Sequence, residues 1–179
     1  ETTEEYYADG ALKSHVRVYY DEGKPTQTDA EYYYEDGTKS KTVEATHTVT
    51  GHIESQETVE YDQQGRQIRV VYSHNGGRLY DRYVYENEYD ADGKKVKRTE
   101  IEYESNGKPK KELYYIYRPE GGIFQISETE YKNGEQIKKR FELREYNDKG
   151  ELSRMTIFQY STVDRLESKT IAYIGENTH

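Results

Sequence analysis

Apolar and polar residues alternate one for one along most of this chain, in runs of about ten residues separated by short polar segments that carry a glycine. In Leu12-Lys13-Ser14-His15-Val16-Arg17-Val18-Tyr19-Tyr20, one side reads Leu, Ser, Val, Val, Tyr and the other Lys, His, Arg, Tyr. That period of two belongs to a strand and not to a helix, whose period is about 3.6. Ile68, Val70 and Tyr72 alternate in the same way with Gln67, Arg69 and Val71, and Leu113, Tyr115 and Tyr117 with Glu112, Tyr114 and Ile116. The phase slips between Val96 and Ile101 and again between Leu143 and Tyr146, and each slip predicts a β-bulge. No long stretch has a helical period, so helix is expected to be minor.

The runs repeat. A tyrosine precedes each predicted turn at Tyr7, Tyr20, Tyr34, Tyr61, Tyr72, Tyr89, Tyr103, Tyr117, Tyr131, Tyr146, Tyr160 and Tyr173, mostly 13–15 residues apart, with one missing near His47. A glycine follows within three or four residues at Gly10, Gly23, Gly37, Gly65, Gly76, Gly93, Gly107, Gly121, Gly134 and Gly150. Asp-Gly and Asn-Gly pairs there are strong hairpin signals, because both residues tolerate the positive φ of tight turns. The pattern predicts an all-β antiparallel meander of about 12–13 strands with a repeat of about 14 residues. An open twisted single sheet is favoured over an up-and-down barrel or a roll, because cross-strand opposite charges can protect an uncovered face. Nothing resembles a linker, so residues 1–179 read as a single β-repeat domain.

Composition sharpens this. The 21 tyrosines supply much of the apolar content of a chain whose mean hydropathy is −1.23, so the sheet must use rings with a wet hydroxyl where a globular protein uses aliphatic side chains. Cysteine is absent, which removes disulfides and thiolate chemistry. No apolar run is long enough for a membrane helix, and a net charge of −9 opposes nucleic acid and anionic membranes. Tyr61-Asp62-Gln63-Gln64-Gly65-Arg66-Gln67-Ile68 and Tyr89-Asp90-Ala91-Asp92-Gly93-Lys94-Lys95-Val96 resemble the YD repeat of bacterial Rhs-type surface and toxin-shell proteins. Tyr6-Tyr7-Ala8-Asp9-Gly10-Ala11-Leu12-Lys13 resembles the MORN-variant repeat. These resemblances imply a bacterial β-repeat scaffold with a non-enzymatic, extracytoplasmic role, and they bring no catalytic residue.

Candidate chemistry is sparse. His47 and His52 flank the Thr50-Gly51 turn without a third ligand, and Asp90-Ala91-Asp92-Gly93 lacks the later oxygens of a calcium loop, so no metal or cofactor is expected. Carboxylates interleaved with lysines and arginines read as neutralised ladders and not as an acid/base pair, so no enzyme is expected. Lys94-Lys95-Val96-Lys97-Arg98, Lys108-Pro109-Lys110-Lys111 and Lys138-Lys139-Arg140 are each followed by acidic residues, which argues for mutual neutralisation over nucleic-acid binding. The tyrosines beyond the repeat, Tyr32, Tyr33, Tyr80, Tyr83, Tyr85, Tyr114 and Tyr115, are the candidate interaction surface, either docking a protein or glycan or stacking across strands in place of a core. The last strand, Leu166 to Ile174, is less guarded than the short acidic first one, Glu1 to Tyr7, and is the expected place for self-association. The sequence thus reads as a surface or secreted repeat module. A barrel carrying a small ligand in a Tyr-lined interior, or an immunity-type partner of a toxin, are the alternatives.

Overall fold

Each alternating run places β-branched and aromatic residues at every second position, and each ends at a glycine-bearing segment that lets the chain reverse. In the computed structural model, which describes residues 1–75, 79–162 and 164–174, the runs form thirteen strands. They are β1 (Thr2–Tyr6), β2 (Leu12–Asp21), β3 (Lys24–Tyr33), β4 (Lys39–His47), β5 (Ile53–Tyr61), β6 (Gln67–Asn75), β7 (Leu79–Tyr89), β8 (Lys95–Tyr103), β9 (Pro109–Tyr117), β10 (Ile123–Lys132), β11 (Glu135–Tyr146), β12 (Leu152–Tyr160) and β13 (Leu166–Tyr173). No helix occurs among the described residues. Strand order in the sheet is sequence order, with β1 and β13 at its two ends, so the chain is an open antiparallel meander and not a barrel. The alternative of a carrier with a Tyr-lined interior is overturned with it, since a sheet in this order encloses no lumen. Contacts divide the chain into two units, Glu1–Glu86 with Ser105–Gly107, and Asn87–Glu104 with Lys108–His179.

One turn geometry dominates. In seven hairpins beginning at Tyr7, Tyr34, Thr48, Asp62, Asp90, Arg118 and Asn147, the amide three residues on donates to the first residue's carbonyl, and the first residue's amide donates to the carbonyl four residues on. In each, the donor three residues on is a glycine at positive φ, which makes a tight turn closed by a left-handed residue. Two hairpins instead use a two-residue loop with both residues at positive φ: Glu22 (47°) and Gly23 (78°), and Asn133 (56°) and Gly134 (86°). Asp62 fastens its own turn, accepting from the amides of Gln64 and Arg66 at 3.0 and 2.9 Å and from the Arg66 guanidinium at 2.7 Å. Asp90 likewise accepts from the Lys94 amide at 2.8 Å, so the Asp-rich segment there is a self-satisfied turn. Gly76 and His179 lie outside the described residues.

The position that repeats is the residue directly in front of these turns: Tyr6, Tyr33, His47, Tyr61, Tyr89, Tyr117 and Tyr146. His47 therefore stands where the repeat lacked a tyrosine. Tyr7 and Tyr34 belong one place later, inside the turn, and Tyr72 lies within β6 and precedes no turn directly. Registers shift by one residue beside the turn in many hairpins, as at Tyr6, Tyr33, His47, Tyr61, Tyr103 and Tyr146. The bulge expected between Leu143 and Tyr146 is there, between Glu145 and Tyr146. The one expected between Val96 and Ile101 is absent from the β8–β9 pairing, where Lys97 to Glu102 run in register and the shift comes at Tyr103.

Tyrosine hydroxyls tie one hairpin to the next. Tyr7 donates to the Tyr33 carbonyl, Tyr34 to the Tyr61 carbonyl and Tyr146 to the Ile123 carbonyl, each at 2.7 Å. Gly122 lies under Tyr146, where a Cβ would come within 3.1 Å of the phenol oxygen. In the first unit a cross-strand row of Val16, Ala30, Val43, Thr58, Val71 and Val84 fills one face. Its most enclosed apolar members are small, Ala30, Val71 and Val84, and no described residue is completely buried. The second unit places charges at the centre of one face: Glu142 is buried between Arg140 at 2.5 Å and Arg144 at 2.7 Å.

Tyr34→Phe is expected to cost about 1 kcal/mol, since it strands a partly buried carbonyl. Tyr6→Phe, which loses only an exposed contact to Glu4, should stay within about 0.5 kcal/mol. Urea midpoints at unchanged slope check both. Burial alone would raise the Asp62 carboxyl, but the amide and guanidinium of Arg66 and the amide of Gln64 outweigh it and hold it below the ordinary range. A depressed carboxyl stabilises the fold above its unfolded value and loses that contribution as pH falls through the folded one. Asp62→Asn should therefore flatten the acid limb of the stability curve measured below about pH 4.

Candidate functional site

The bulge in β7 decides which tyrosines share a face. Tyr72 pairs with Tyr83 and Ser73 with Asp81, so Arg82 is the extra residue, and Tyr80, Tyr83 and Tyr85 all come to the same side while Asp81 turns away to accept from Ser73 at 2.9 Å. Across β2 to β7 that side carries the row Arg17, Asp29, Glu44, Glu57, Tyr72, Tyr83, flanked by His15, Glu31, Thr42, Val59, Val70 and Tyr85. Tyr85 meets Tyr72 edge to face, with ring centroids 6.0 Å apart at 89°. A hollow of ≈490 Å³ opens here, lined by Glu44, Glu57, Tyr72, His74, Arg82 and Tyr83 among others, and Glu44 also borders a second one of ≈310 Å³ with Arg17, Asp29 and Glu31. The Arg82 guanidinium lies 5.4 Å from the Tyr83 ring centre. Burial, then the nearby Glu57 carboxylate, pushes the Tyr72 phenol above its ordinary range.

The other predicted tyrosines are elsewhere. Tyr32 and Tyr33 occupy opposite faces of β3: Lys41 covers the Tyr32 ring at 4.1 Å, whereas Tyr33 donates to Glu31 at 2.8 Å. Both border a third hollow, of ≈370 Å³, with Tyr7, Tyr34 and Tyr61 at the turn end of the first unit. Tyr114 and Tyr115 point to opposite faces of β9; Lys97 lies 5.1 Å from the Tyr114 ring, and burial raises the Tyr115 phenol. The seven tyrosines are therefore not one surface, and Tyr80, Tyr83 and Tyr85 are the group that the first unit gathers on one face. Tyr72, Glu44 and Glu57 were not singled out from the sequence. The signal was available, because Glu44 and Glu57 stand at nearly equal distances from the turn that Thr48 opens, which makes them cross-strand partners.

Members of the basic clusters pair with acids, several of them on neighbouring strands and not among the acids that follow in sequence. Lys97 pairs with Glu88, Arg98 with Glu100 at 2.6 Å, Lys110 with Glu102 at 2.6 Å, Lys111 with Glu128 at 2.6 Å and Lys138 with Glu130 at 3.4 Å. His47 is engaged by the Thr28 hydroxyl at 2.9 Å and the Gly51 carbonyl at 3.3 Å.

No family model matches the sequence, and no curated protein matches it. Among solved structures, the crystal structure of TcdB2-TccC3-TEV aligns with 94% of this chain and 11% of its own at 11% identity and a TM-score of 0.29. A protein of unknown function from Bacteroides fragilis aligns over 92% of this chain and 96% of its own, at 13% identity and a TM-score of 0.19. The Tc holotoxin pore of Photorhabdus luminescens aligns over 92% of this chain and 12% of its own, at 12% identity and a TM-score of 0.19. This chain thus spans about a tenth of the length of the Tc toxin chains it matches.

Glu57→Gln removes the neighbouring charge and should bring the Tyr72 phenol down toward the usual tyrosine range, leaving the contribution of burial. Ring-carbon NMR of Tyr72 through an alkaline titration measures it; an unmoved midpoint would mean that the carboxylate does not act on this ring.

Proposed function

We propose that this chain is a non-catalytic bacterial β-repeat module, surface-exposed or secreted, that presents the Tyr72, Tyr83 and Tyr85 face of its first unit to a protein or glycan partner. The observation that carries this reading is the ≈490 Å³ hollow in which Tyr72 and Tyr83 stand beside Glu44 and Glu57. Rigid rings with polar neighbours in a concave site are efficient contact residues, since little side-chain entropy is lost when they are covered. The YD and MORN-variant resemblance of the turns supports a scaffold outside the cytoplasm. The same reading keeps β13 as a second contact edge for self-association, because Leu166, Ile171 and Tyr173 are exposed on the strand that ends the sheet.

A glycan array combined with protein pulldown on the intact chain tests the proposal. A partner is expected whose affinity falls at least tenfold in Tyr83→Ala, the usual cost of a buried aromatic anchor, and stays unchanged in Tyr173→Ala. A partner bound equally well by both variants would place the contact elsewhere on the chain.

A further inference from the structure

Many strand carboxylates on this sheet are paired with a cation. Glu31 has Lys39, Glu60 and Glu86 share Arg69, Glu128 has Lys111, Glu130 has Lys138, Glu142 has Arg140 and Arg144, and Glu145 has Arg154. The row Asp29, Glu44, Glu57 is built differently, acid facing acid. Asp29 is directly opposite Glu44, and Glu44 directly opposite Glu57, so three carboxylates sit on adjacent strands about 5 Å apart. None of the three forms an ion pair among the described residues. Asp29 accepts from Gln27 Nε2 at 2.7 Å and faces Arg17, which itself donates to the Tyr19 hydroxyl at 3.4 Å, while Arg82 lies over Tyr83, so no arginine pairs with Glu44 or Glu57 among the described residues. Like charges facing each other across strands are destabilising, so the free protein carries a cost in this row.

Two further observations say what relieves that cost. The row ends on the rings of Tyr72 and Tyr83, and an aromatic face beside carboxylates attracts a cation through both the ring quadrupole and the formal charge. The charge of the chain is also lopsided: residues 1–86 hold 17 Asp and Glu against 9 Lys and Arg, whereas residues 87–179 hold 18 against 17. Nearly all of the net charge of −9 therefore belongs to the part that carries the row, and the field it makes steers a positively charged partner toward it.

We infer that the Asp29, Glu44, Glu57 row and the Tyr72 and Tyr83 rings beside it form a docking site for a basic segment of a protein partner, with a Lys or Arg side chain seated between Glu44 and Glu57 and its stem against Tyr72. This rests on the interaction-module reading above and names the occupant. A segment lying extended across the strands presents alternate side chains to the face every two residues, which matches a row of carboxylates and lets the intervening residues face solvent.

Fluorescence anisotropy of the intact chain with a short labelled peptide alternating Lys and Thr tests this, with the same peptide acetylated on every lysine as its uncharged counterpart. The lysine peptide is expected to bind, with affinity that falls as salt rises, and acetylation should weaken it tenfold or more. The double variant E44Q/E57Q should lose about tenfold, whereas E102Q, which removes a carboxylate already paired with Lys110, should stay within about twofold. Equal binding of the acetylated peptide, full binding by E44Q/E57Q, or an equal loss in E102Q would overturn the inference. Preferential, competing binding of a cationic glucosamine oligomer would overturn it in favour of a glycan. If no basic peptide binds while a partner found on the array or in the pulldown is lost in Tyr83→Ala, the interaction-module reading stands and this inference alone falls.

Discussion

A side chain on a single β-sheet is covered chiefly by its cross-strand and diagonal neighbours, and that constraint governs this protein. Without a second layer, a large aliphatic residue would remain wet on one side, so the enclosed positions of the first unit go to Ala30, Ala45, Val59, Val71 and Val84. Cover comes from long neighbours whose tips tolerate water: tyrosines, and lysines and arginines lying along the sheet with their charges paired. The Lys41 ammonium over Tyr32 and the Arg118 guanidinium 4.3 Å from the Tyr146 ring centre are instances of the same solution. Each exposed pair contributes little by itself, and the sheet depends on their number and on the backbone ladder between them.

The same constraint makes an unpaired charge conspicuous. A carboxylate on such a face is settled by a cation or a hydroxyl within reach, as Asp81 is by Ser73, or is repelled by the next carboxylate in its row. The Glu142 site solves this with two arginines on its own strand, at spacing i−2 and i+2. Asp29, Glu44 and Glu57 have no such arrangement, and they lie on the one face where Tyr80, Tyr83 and Tyr85 come together. Structure and charge thus single out one place where acids face acids across strands beside a group of tyrosines.

Period-two alternation and spaced glycines made the meander legible in the sequence, because both report directly on backbone geometry. The fine register was harder to read. A bulge beside a turn looks, in sequence, like a turn one residue longer, which is why Tyr7 and Tyr34 read as the repeat residue when Tyr6 and Tyr33 hold that position. The same one-residue ambiguity hides the site: without the extra residue Arg82, Tyr80 and Tyr83 fall on opposite faces, and the spacing of the repeat sets Tyr72 before a turn. Glu44 and Glu57 looked like two more members of a mixed-charge ladder, since only the cross-strand register shows that each faces an acid and not a base.

A pair of double-mutant cycles on unfolding free energy measures the central claim, that the Glu44 and Glu57 carboxylates repel each other while a carboxylate held by a cation, as Glu128 is by Lys111, is stabilised. With neutral glutamines as replacements, the account gives a repulsive coupling between Glu44 and Glu57 and an attractive one between Lys111 and Glu128, each on the order of 0.2–1 kcal/mol. A zero or attractive coupling between Glu44 and Glu57 would contradict it.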